Sequence, residues 1–241
     1  MLKVLTIPDL HYGSHNKKYL KILLEFGTDW KPDVLIWSGD NMDFDSISFH
    51  DRAKPKLLEN KRLMKEYEVF NELLDYTEKL FKPDKTIYMY GNHEDRVRRL
   101  IEGDPQYEGF IEVDRCLRLE ARGYKVYPMN ESYTLGPLTW FHGFYTNKYH
   151  SAKTVEVFHK NVIYGHSHTV QEFTHPTPDK KSAVMGKCIG TGQKVPAWWL
   201  NRPSWQVNAF HIAYIYKGGF NDYTVKVDKG KCMVNDKLYT A

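Results

Sequence analysis

The stretch VLTIPDLHYG, residues 4–13, decides how the chain is read. Val4 to Ile7 form a short apolar run rich in branched residues, the mark of a strand buried on both faces, and Gly13 turns the chain away. Asp9 and His11 lie between the run and the glycine. Residues two apart on an extended backbone project to the same side, so this carboxylate and this imidazole can reach one common point. That point is a candidate metal. Taken alone, the hexapeptide PDLHYG also has a plain structural reading, with Asp9 as a turn former or helix cap and His11 on the surface. The functional reading needs further ligands from elsewhere in the chain.

Comparable runs occur at Val34 to Trp37, Thr86 to Tyr90, Leu138 to Phe141 and Val162 to Tyr164, each ending at a polar or glycine-containing turn. Helical patterns separate the early ones. Leu20, Leu23 and Leu24 suggest one helix, and Leu63, Tyr67, Phe70, Leu74, Thr77 and Phe81 recur at alternating steps of four and three along a longer one. That stripe reads as core packing in preference to a membrane or partner face. Strand, helix, strand, helix, strand implies right-handed crossovers and a sheet that is at least partly parallel.

After about residue 120 the runs shorten: Tyr124 to Tyr127, Ser132 to Leu135 and Leu138 to Phe141, with Gly136-Pro137 as a turn. A second sheet is expected to begin there. Alternation in Val207 to Tyr216 and Tyr223 to Val227, around Gly218-Gly219, predicts an antiparallel pair near the C-terminus. No internal repeat, low-complexity tract or linker interrupts the sequence, so one domain over residues 1–241 is expected.

Composition excludes several classes. Hydrophobic residues at 41% and charged residues at 27% are ordinary globular values and argue against disorder. A net charge of +4 permits an anionic substrate but lacks the strong basic signature of a dedicated nucleic-acid binder. Cys116, Cys188 and Cys232 are widely spaced and odd in number, which indicates neither a disulfide framework nor a thiolate zinc site. No segment approaches the roughly 18 apolar residues of a membrane span, and the first residues lack a signal-peptide core. A cytoplasmic protein without membrane association is expected.

The tails of the strand-like runs carry the chemistry. They supply Asp9 and His11; then Asp40 and Asp43 in SGDNMD; then Asn92, His93 and Glu94 in GNHE; then His142 in FHG; then His166 and His168 in GHSH. In open α/β sheets the carboxyl ends of the strands form the ligand crevice, so these residues converge on one edge. His166 and His168 repeat the spacing of Asp9 and His11, giving two pincers on one site.

The ordered blocks D-x-H, G-D-x-x-D, G-N-H-E, H-G and G-H-x-H, spanning residues 9 to 168, resemble the calcineurin-like metallophosphoesterase superfamily. The resemblance implies an α/β fold in which a two-layered mixed β-sheet sandwich is flanked by helices in the order α-β-β-α. It also implies two divalent metal ions at the strand ends. Carried over residue by residue, one ion is held by Asp9, His11, Asp40 and His168, and the other by Asp40, Asn92, His142 and His166, with Asp40 bridging. Imidazole, carboxylate and amide donors suit Mn, Fe, Zn, Ni or Co without selecting among them, and Mn is the first expectation.

The implied activity is hydrolysis of a phosphodiester by a metal-bridging hydroxide, with a nucleic-acid end or nucleotide as favoured substrate. Paired cations offset phosphate charge and acidify a shared water, so no nucleophilic side chain is required. The resemblance makes His93 the general acid and Asp43 the carboxylate that orients it. Glu94 reads either as support for the ligands or as a helix N-terminal residue facing the dipole. The DLHYG opening is similar to the nuclease branch of the superfamily. Protein Ser/Thr phosphatases of the superfamily carry an arginine soon after the G-D-x-x-D block, where this chain has Phe44 and Asp45. Phosphomonoester hydrolysis is the alternative, and a non-catalytic metal-binding scaffold a further one.

Four residues are candidates for substrate contact: Asn92, Arg96, His150 and Arg202. Arg96, Arg98 and Arg99 fall on an expected helix whose plain reading is a solvated face. His150 lies in a loop expected to wall the cleft. Arg202 belongs to GTGQKVPAWWLNRPSWQ, where Trp198, Trp199 and Trp205 either pack a long loop or stack a base. His15, His50, His159, His175 and His211 fall outside every matched block and read as surface or structural.

Overall fold

In a computed structural model, residues 1–177, 182–197, 200 and 203–241 are described. In chain order they form β1 (Leu2–Ile7), α1 (Lys17–Trp30), β2 (Val34–Trp37), α2 (Pro55–Leu58), α3 (Leu63–Phe81), β3 (Lys85–Met89), α4 (Asp95–Gly103), α5 (Val113–Cys116), β4 (Lys125–Tyr127), β5 (Tyr133–Leu135), β6 (Leu138–Trp140), α6 (His150–Phe158), β7 (Asn161–Tyr164), β8 (Val170–Pro176), β9 (Ala183–Ile189), β10 (Ala209–Tyr216), β11 (Gly219–Lys226), β12 (Lys231–Val234) and β13 (Lys237–Thr240). A six-stranded sheet runs β11-β10-β1-β2-β3-β4, and a five-stranded sheet runs β5-β6-β7-β9-β8.

The apolar runs become strands because both of their faces are covered. From β1 and β2, Leu5, Ile7, Leu35 and Trp37 pack with Leu23, Phe26, Phe70 and Leu74 of α1 and α3. Val4, Val34, Ile36 and Ile87 project the other way and meet Leu138, Trp140, Val162 and Tyr164 of the five-stranded sheet. Each such side chain stabilises the fold by about 1.5–3 kcal/mol when buried, which a charge at the same place would forfeit. Trp140 Nε1 donates to Thr6 Oγ1 at 3.0 Å, tying the two sheets together near the centre. The expected stripe on α3 is core, with Tyr67, Phe70, Leu74, Thr77 and Phe81 all buried. Helix α6 lies against β7, β8 and β9, so helices flank a pair of mixed sheets.

Strands β1, β2, β3 and β4 are mutually parallel, whereas β10 joins β1 antiparallel and pairs with β11. One expectation needs correction. The second sheet does not begin at Tyr124: β4 pairs with β3, and the second sheet starts at β5. A three-residue strand carries too little pattern to declare its sheet. The expected antiparallel pair near the C-terminus is β10 with β11, at the edge of the six-stranded sheet. Strands β8 and β9 were not expected, since β8 is a largely exposed strand with no apolar run. No helix among the described residues is long and apolar enough to cross a membrane.

Candidate metal centre

The parallel strands β1, β2 and β3 deliver Asp9, His11, Asp40 and Asn92 to one edge, and β6 and β7 deliver His142, His166 and His168 from the facing sheet. Five of these residues leave their strands in the left-handed backbone region: Asp9 (φ 39°), His11 (48°), Asp40 (48°), His166 (67°) and His168 (60°). Each such residue costs about 1–2 kcal/mol relative to right-handed backbone, although Asp and His tolerate it better than most. A concentration of that strain on chemically reactive side chains at the sheet edge serves the site, because no core packing requires it.

Donor atoms converge on two adjoining points. Asp9, His11 and His168 form one buried group, and Asp40, His142 and the half-buried His166 another, while a third, His11, Asp40 and His93, overlaps both; in each the ligand atoms lie within 4.8 Å of one another. In the first, His11 Nε2 and His168 Nε2 are 3.0 Å apart and His168 Nε2 is 3.6 Å from Asp9 Oδ1. In the second, Asn92 Oδ1 lies 3.2 Å from His142 Nε2 and 2.9 Å from His166 Nδ1. Asp40 Oδ2 stands between them, 4.0 Å from His11 Nε2 and 3.4 Å from His142 Nε2. Ligands placed about 2.1 Å from one cation stand about 3.0–3.5 Å from each other, so the spacing fits a cation within each group.

Hydrogen bonds outside the cluster fix which ring nitrogens face inward. His11 Nδ1 donates to Asp43 Oδ1 at 2.9 Å and His142 Nδ1 to the Ser38 carbonyl at 3.0 Å. Both Nε2 atoms are thereby turned to the centre, the arrangement that orients metal-binding histidines. Burial alone would lower both imidazoles. The carboxylates outweigh it: Asp43, Asp40 and Asp9 raise His11 to about 9, and Asp40 and Asp9 raise His142 to about 10. Without a cation, protons take up the positive charge that this carboxylate cluster demands.

Glycines in the blocks let backbone approach the ligands. A Cβ on Gly165 would stand 1.9 Å from Asp9 Oδ2, and one on Gly91 2.2 Å from Asp40 Oδ1. Asp9 and Asp40 are held in turn by backbone donors, from His166 N at 2.8 Å and from His93 N at 2.8 Å. Glu94 stands at the N-terminus of α4 and also supports the ligands: its buried carboxylate accepts from the backbone N–H of Asp40, Asn41 and Gly91, each at 2.9 Å. Three N–H groups from two loops thus meet on one side chain.

The residues around this cluster fall differently from their expected roles. The Asp43 carboxylate hydrogen-bonds His11 at 2.9 Å and also stands 3.8 Å from His93 Nδ1, within ion-pair range. The hydrogen bond that His93 Nδ1 donates goes to the Asp43 main-chain carbonyl, at 2.9 Å. Burial, reinforced by His11 and Arg96 and only partly offset by Asp40, lowers His93 to about 4, so the ring is neutral near pH 7. Arg96 does turn inward: its guanidinium donates to the Asp43 carbonyl at 2.9 Å and to His93 Nε2 at 3.1 Å. Arg98 and Arg99 bind Asp95 on the exposed face of α4.

His150 opens α6 instead of lying on a loop, yet it is part of the wall of the cavity beside His166 and His168, as expected; it is buried and bonds the Tyr164 hydroxyl at 2.7 Å and Thr169 Oγ1 at 2.9 Å. Arg202, Trp198 and Trp199 lie outside the described residues. Gln206 was missed by sequence reasoning: its side-chain amide lies 3.1 Å from His168 Nδ1. It follows an isolated tryptophan in an unpatterned segment, and no signal could have found it. A cavity of about 580 Å³ opens beside the ligands, lined by His166, His168, Lys148, Trp205 and Gln206 among others.

With this geometry in hand, known proteins can be compared. The family model described as calcineurin-like phosphoesterase matches residues 2–204. No curated protein sequence matches the chain. Among solved structures, the chain is similar to Vacuolar Protein Sorting 29 from Cryptosporidium parvum, at 13% identity and a TM-score of 0.54, covering 99% of this chain and 98% of that one. It is similar also to Vps29 from Chaetomium thermophilum, at 14% identity and a TM-score of 0.51, covering 100% and 99%. At such identities the likeness is one of fold.

Proposed function

From the premise that the chain belongs to the calcineurin-like phosphoesterase family, we propose that it is a binuclear metal-dependent hydrolase of phosphodiesters, with nucleic-acid ends or nucleotides as favoured substrates. The observation that carries this reading is the convergence of seven donors, Asp9, His11, Asp40, Asn92, His142, His166 and His168, on two adjoining points. The mixed donor set suits Mn, Fe, Zn, Ni or Co without selecting among them, and Mn is taken as the first to test. Cations held there would acidify a shared water and offset the phosphate charge that grows in the transition state.

The chain's own residues then have definable tasks. Asp40 separates the two groups and supplies negative charge between them. Asp43 and the Ser38 carbonyl keep Nε2 of His11 and His142 facing inward. Arg96 and His93 stand side by side at the edge of the cluster, suited to the leaving oxygen. In the free chain His93 Nε2 accepts from Arg96 and carries no proton. An anionic phosphate beside it favours the charged ring, which supplies an acid on the substrate's arrival. Hydroxide, formed when water gives one proton to solvent, would add to phosphorus as the ester P–O bond breaks, and the departing oxygen would take the proton that His93 drew from solvent when the substrate bound. A diester is favoured over a dianionic monoester because Lys148 alone contributes a permanent cation to the described lining of the adjoining cavity. The three cysteines are free, in keeping with a reducing, cytoplasmic setting.

The test compares bis-p-nitrophenyl phosphate with p-nitrophenyl phosphate after loading with Mn, Zn, Ni or Co. Diester turnover that falls roughly 100-fold or more in His93→Asn, with metal content unchanged, is expected of a general acid. Faster monoester turnover would shift the reading to a phosphatase. No turnover with any metal, at full metal content, would leave a metal-binding scaffold.

A further inference from the structure

Beside the ligands His166 and His168, the 580 Å³ cavity has an unusual lining. One wall comes from Thr146, Asn147 and Lys148, and the other from Pro203, Ser204, Trp205 and Gln206. Among the described lining residues there is no carboxylate. Trp205 is 67% exposed, although tryptophan normally buries most of its large ring, and it is unstrapped by any ring contact among the described residues.

The indole is not on a free-swinging segment. Its chain neighbour Gln206 places an amide 3.1 Å from His168 Nδ1, and the next residue, Val207, donates its N–H to the His168 carbonyl at 2.9 Å. Gln206 also bridges Thr169. The segment bearing Trp205 is therefore referenced directly to a metal-ligating histidine. The opposite wall is similarly anchored, since Gln171 Nε2 donates to the Lys148 carbonyl at 2.9 Å. Lys148 is followed by the exposed Tyr149, whose ring lies 5.1 Å from Lys148 Nζ, and Lys153 lies 4.4 Å from the Tyr145 ring. Within the cavity itself, an exposed indole on one wall and a lysine on the other match what an unpaired nucleobase with its phosphate requires: a face for stacking and a cation for the phosphate.

We propose that this cavity is the base-recognition subsite of the centre, with Trp205 stacking an unpaired nucleobase and Lys148 contacting a phosphate next to the scissile one. The proposal rests on the phosphodiesterase reading, and it goes further by assigning specificity to two residues that touch no metal ligand through their own side chains. A base held there places its attached phosphate toward His166 and His168. Paired bases, whose faces are covered by stacking within a duplex, are refused. The shared chemistry is a nucleobase joined to a phosphodiester, whether in a strand or in a nucleotide ester.

The test uses the manganese-loaded protein and its variants Trp205→Ala, Trp205→Phe and Lys148→Ala. Binding of a fluorescein-labelled phosphorothioate octathymidylate is followed by anisotropy, and turnover is measured on thymidine 5′-(p-nitrophenyl phosphate) and on bis-p-nitrophenyl phosphate. Trp205→Ala is expected to weaken octathymidylate binding, or the nucleoside ester's kcat/KM, roughly 10-fold, while turnover of bis-p-nitrophenyl phosphate stays within about twofold. Trp205→Phe should restore most of the loss, and Lys148→Ala should reduce the salt dependence of binding by about one phosphate contact. Loss on the octamer identifies a strand, and loss confined to the nucleoside ester identifies a nucleotide. Equal loss on all three probes would make Trp205 structural and overturn the proposal. So would unchanged binding and turnover on both thymidine probes. Hydrolysis of bis-p-nitrophenyl phosphate without Trp205-dependent recognition refutes the subsite alone, whereas Trp205-dependent binding with no hydrolysis of any ester refutes the enzymatic reading alone.

Discussion

The metal centre and the cluster around His211 are both buried assemblies of imidazole and carboxylate, yet they differ in every respect that makes a site. His211 sits in mid-strand on β10, in register with Thr6 and Thr224 on either side, and its Nε2 is 3.0 Å from Asp222 Oδ2. Lys187, also buried, ion-pairs with Asp222 and, at 3.0 Å, with Glu172. A built-in cation already satisfies those carboxylates. At the metal centre Asp9, Asp40 and Asp43 have no lysine among them, the ligands end strands instead of lying within them, and five adopt left-handed backbone. Burial and charge alone thus describe a structural ion network. A carboxylate cluster with no lysine, faced by titratable imidazoles on a strained sheet edge, marks a candidate binding site.

The largest expected effect separates the two through a residue that carries no functional group. Gly165→Ala drives a methyl group into Asp9 and should reduce diester turnover roughly 100-fold, the cost of displacing a reacting group by about 1 Å. Turnover assayed alongside metal content checks it; near-normal activity would mean that Asp9 has room to move and that the glycine is not there for the ligand.

A smaller effect concerns protons. Burial lowers His11 and His142, but neighbouring carboxylates raise them to about 9 and about 10, against 6.5 for the free ring. A raised folded-state pKa contributes stability that is complete below pH 6.5 and is lost as pH rises through 9 to 10. Metal-free protein should therefore lose several degrees in Tm between pH 7 and pH 10, measured in chelator by thermal melts. Manganese should flatten that dependence by replacing the protons. Parallel curves with and without metal would show that the cation and the protons do not compete for the same nitrogens.

The smallest effect on catalysis is expected at the other cluster. Asp222→Asn leaves His211 and Lys187 without their shared partner and should destabilise the fold by about 3 kcal/mol in urea titrations. Diester turnover under native conditions should remain within about twofold. A large loss of activity at full folding would join the two clusters into one functional unit and dissolve the contrast drawn between them.

How much of this was legible before folding follows from where information is local. Asp9 with His11, and His166 with His168, stand just past strands that the sequence shows, so their place at one sheet edge was legible; the extended i, i+2 geometry expected of them is not what they adopt, since all four take left-handed backbone beyond the strand ends. Support contributed by main-chain atoms was not legible: the Ser38 and Asp43 carbonyls carry no residue code, so the sequence shows neither that Asp43 holds His93 through its main chain nor that its carboxylate bonds His11 as well. Glu94 sits inside GNHE, yet its reach to Asp40 and Asn41 depends on how two loops stack. The three residues of β4 fit either sheet by pattern, and only pairing with β3 decides. The exposed β8 lacks an apolar run because one of its faces is wet, and so it was overlooked. His150 read as a loop residue, since helix α6 begins there without a side-chain cap.

The most direct test of the account is the metal content of the intact chain after dialysis against manganese, measured by elemental analysis per mole of protein. Two ions per chain are expected, both retained in Asp222→Asn and reduced in Asp40→Asn, whose carboxylate lies between the two donor groups. A single ion in the wild-type chain, or two that survive loss of the Asp40 carboxylate, would contradict it.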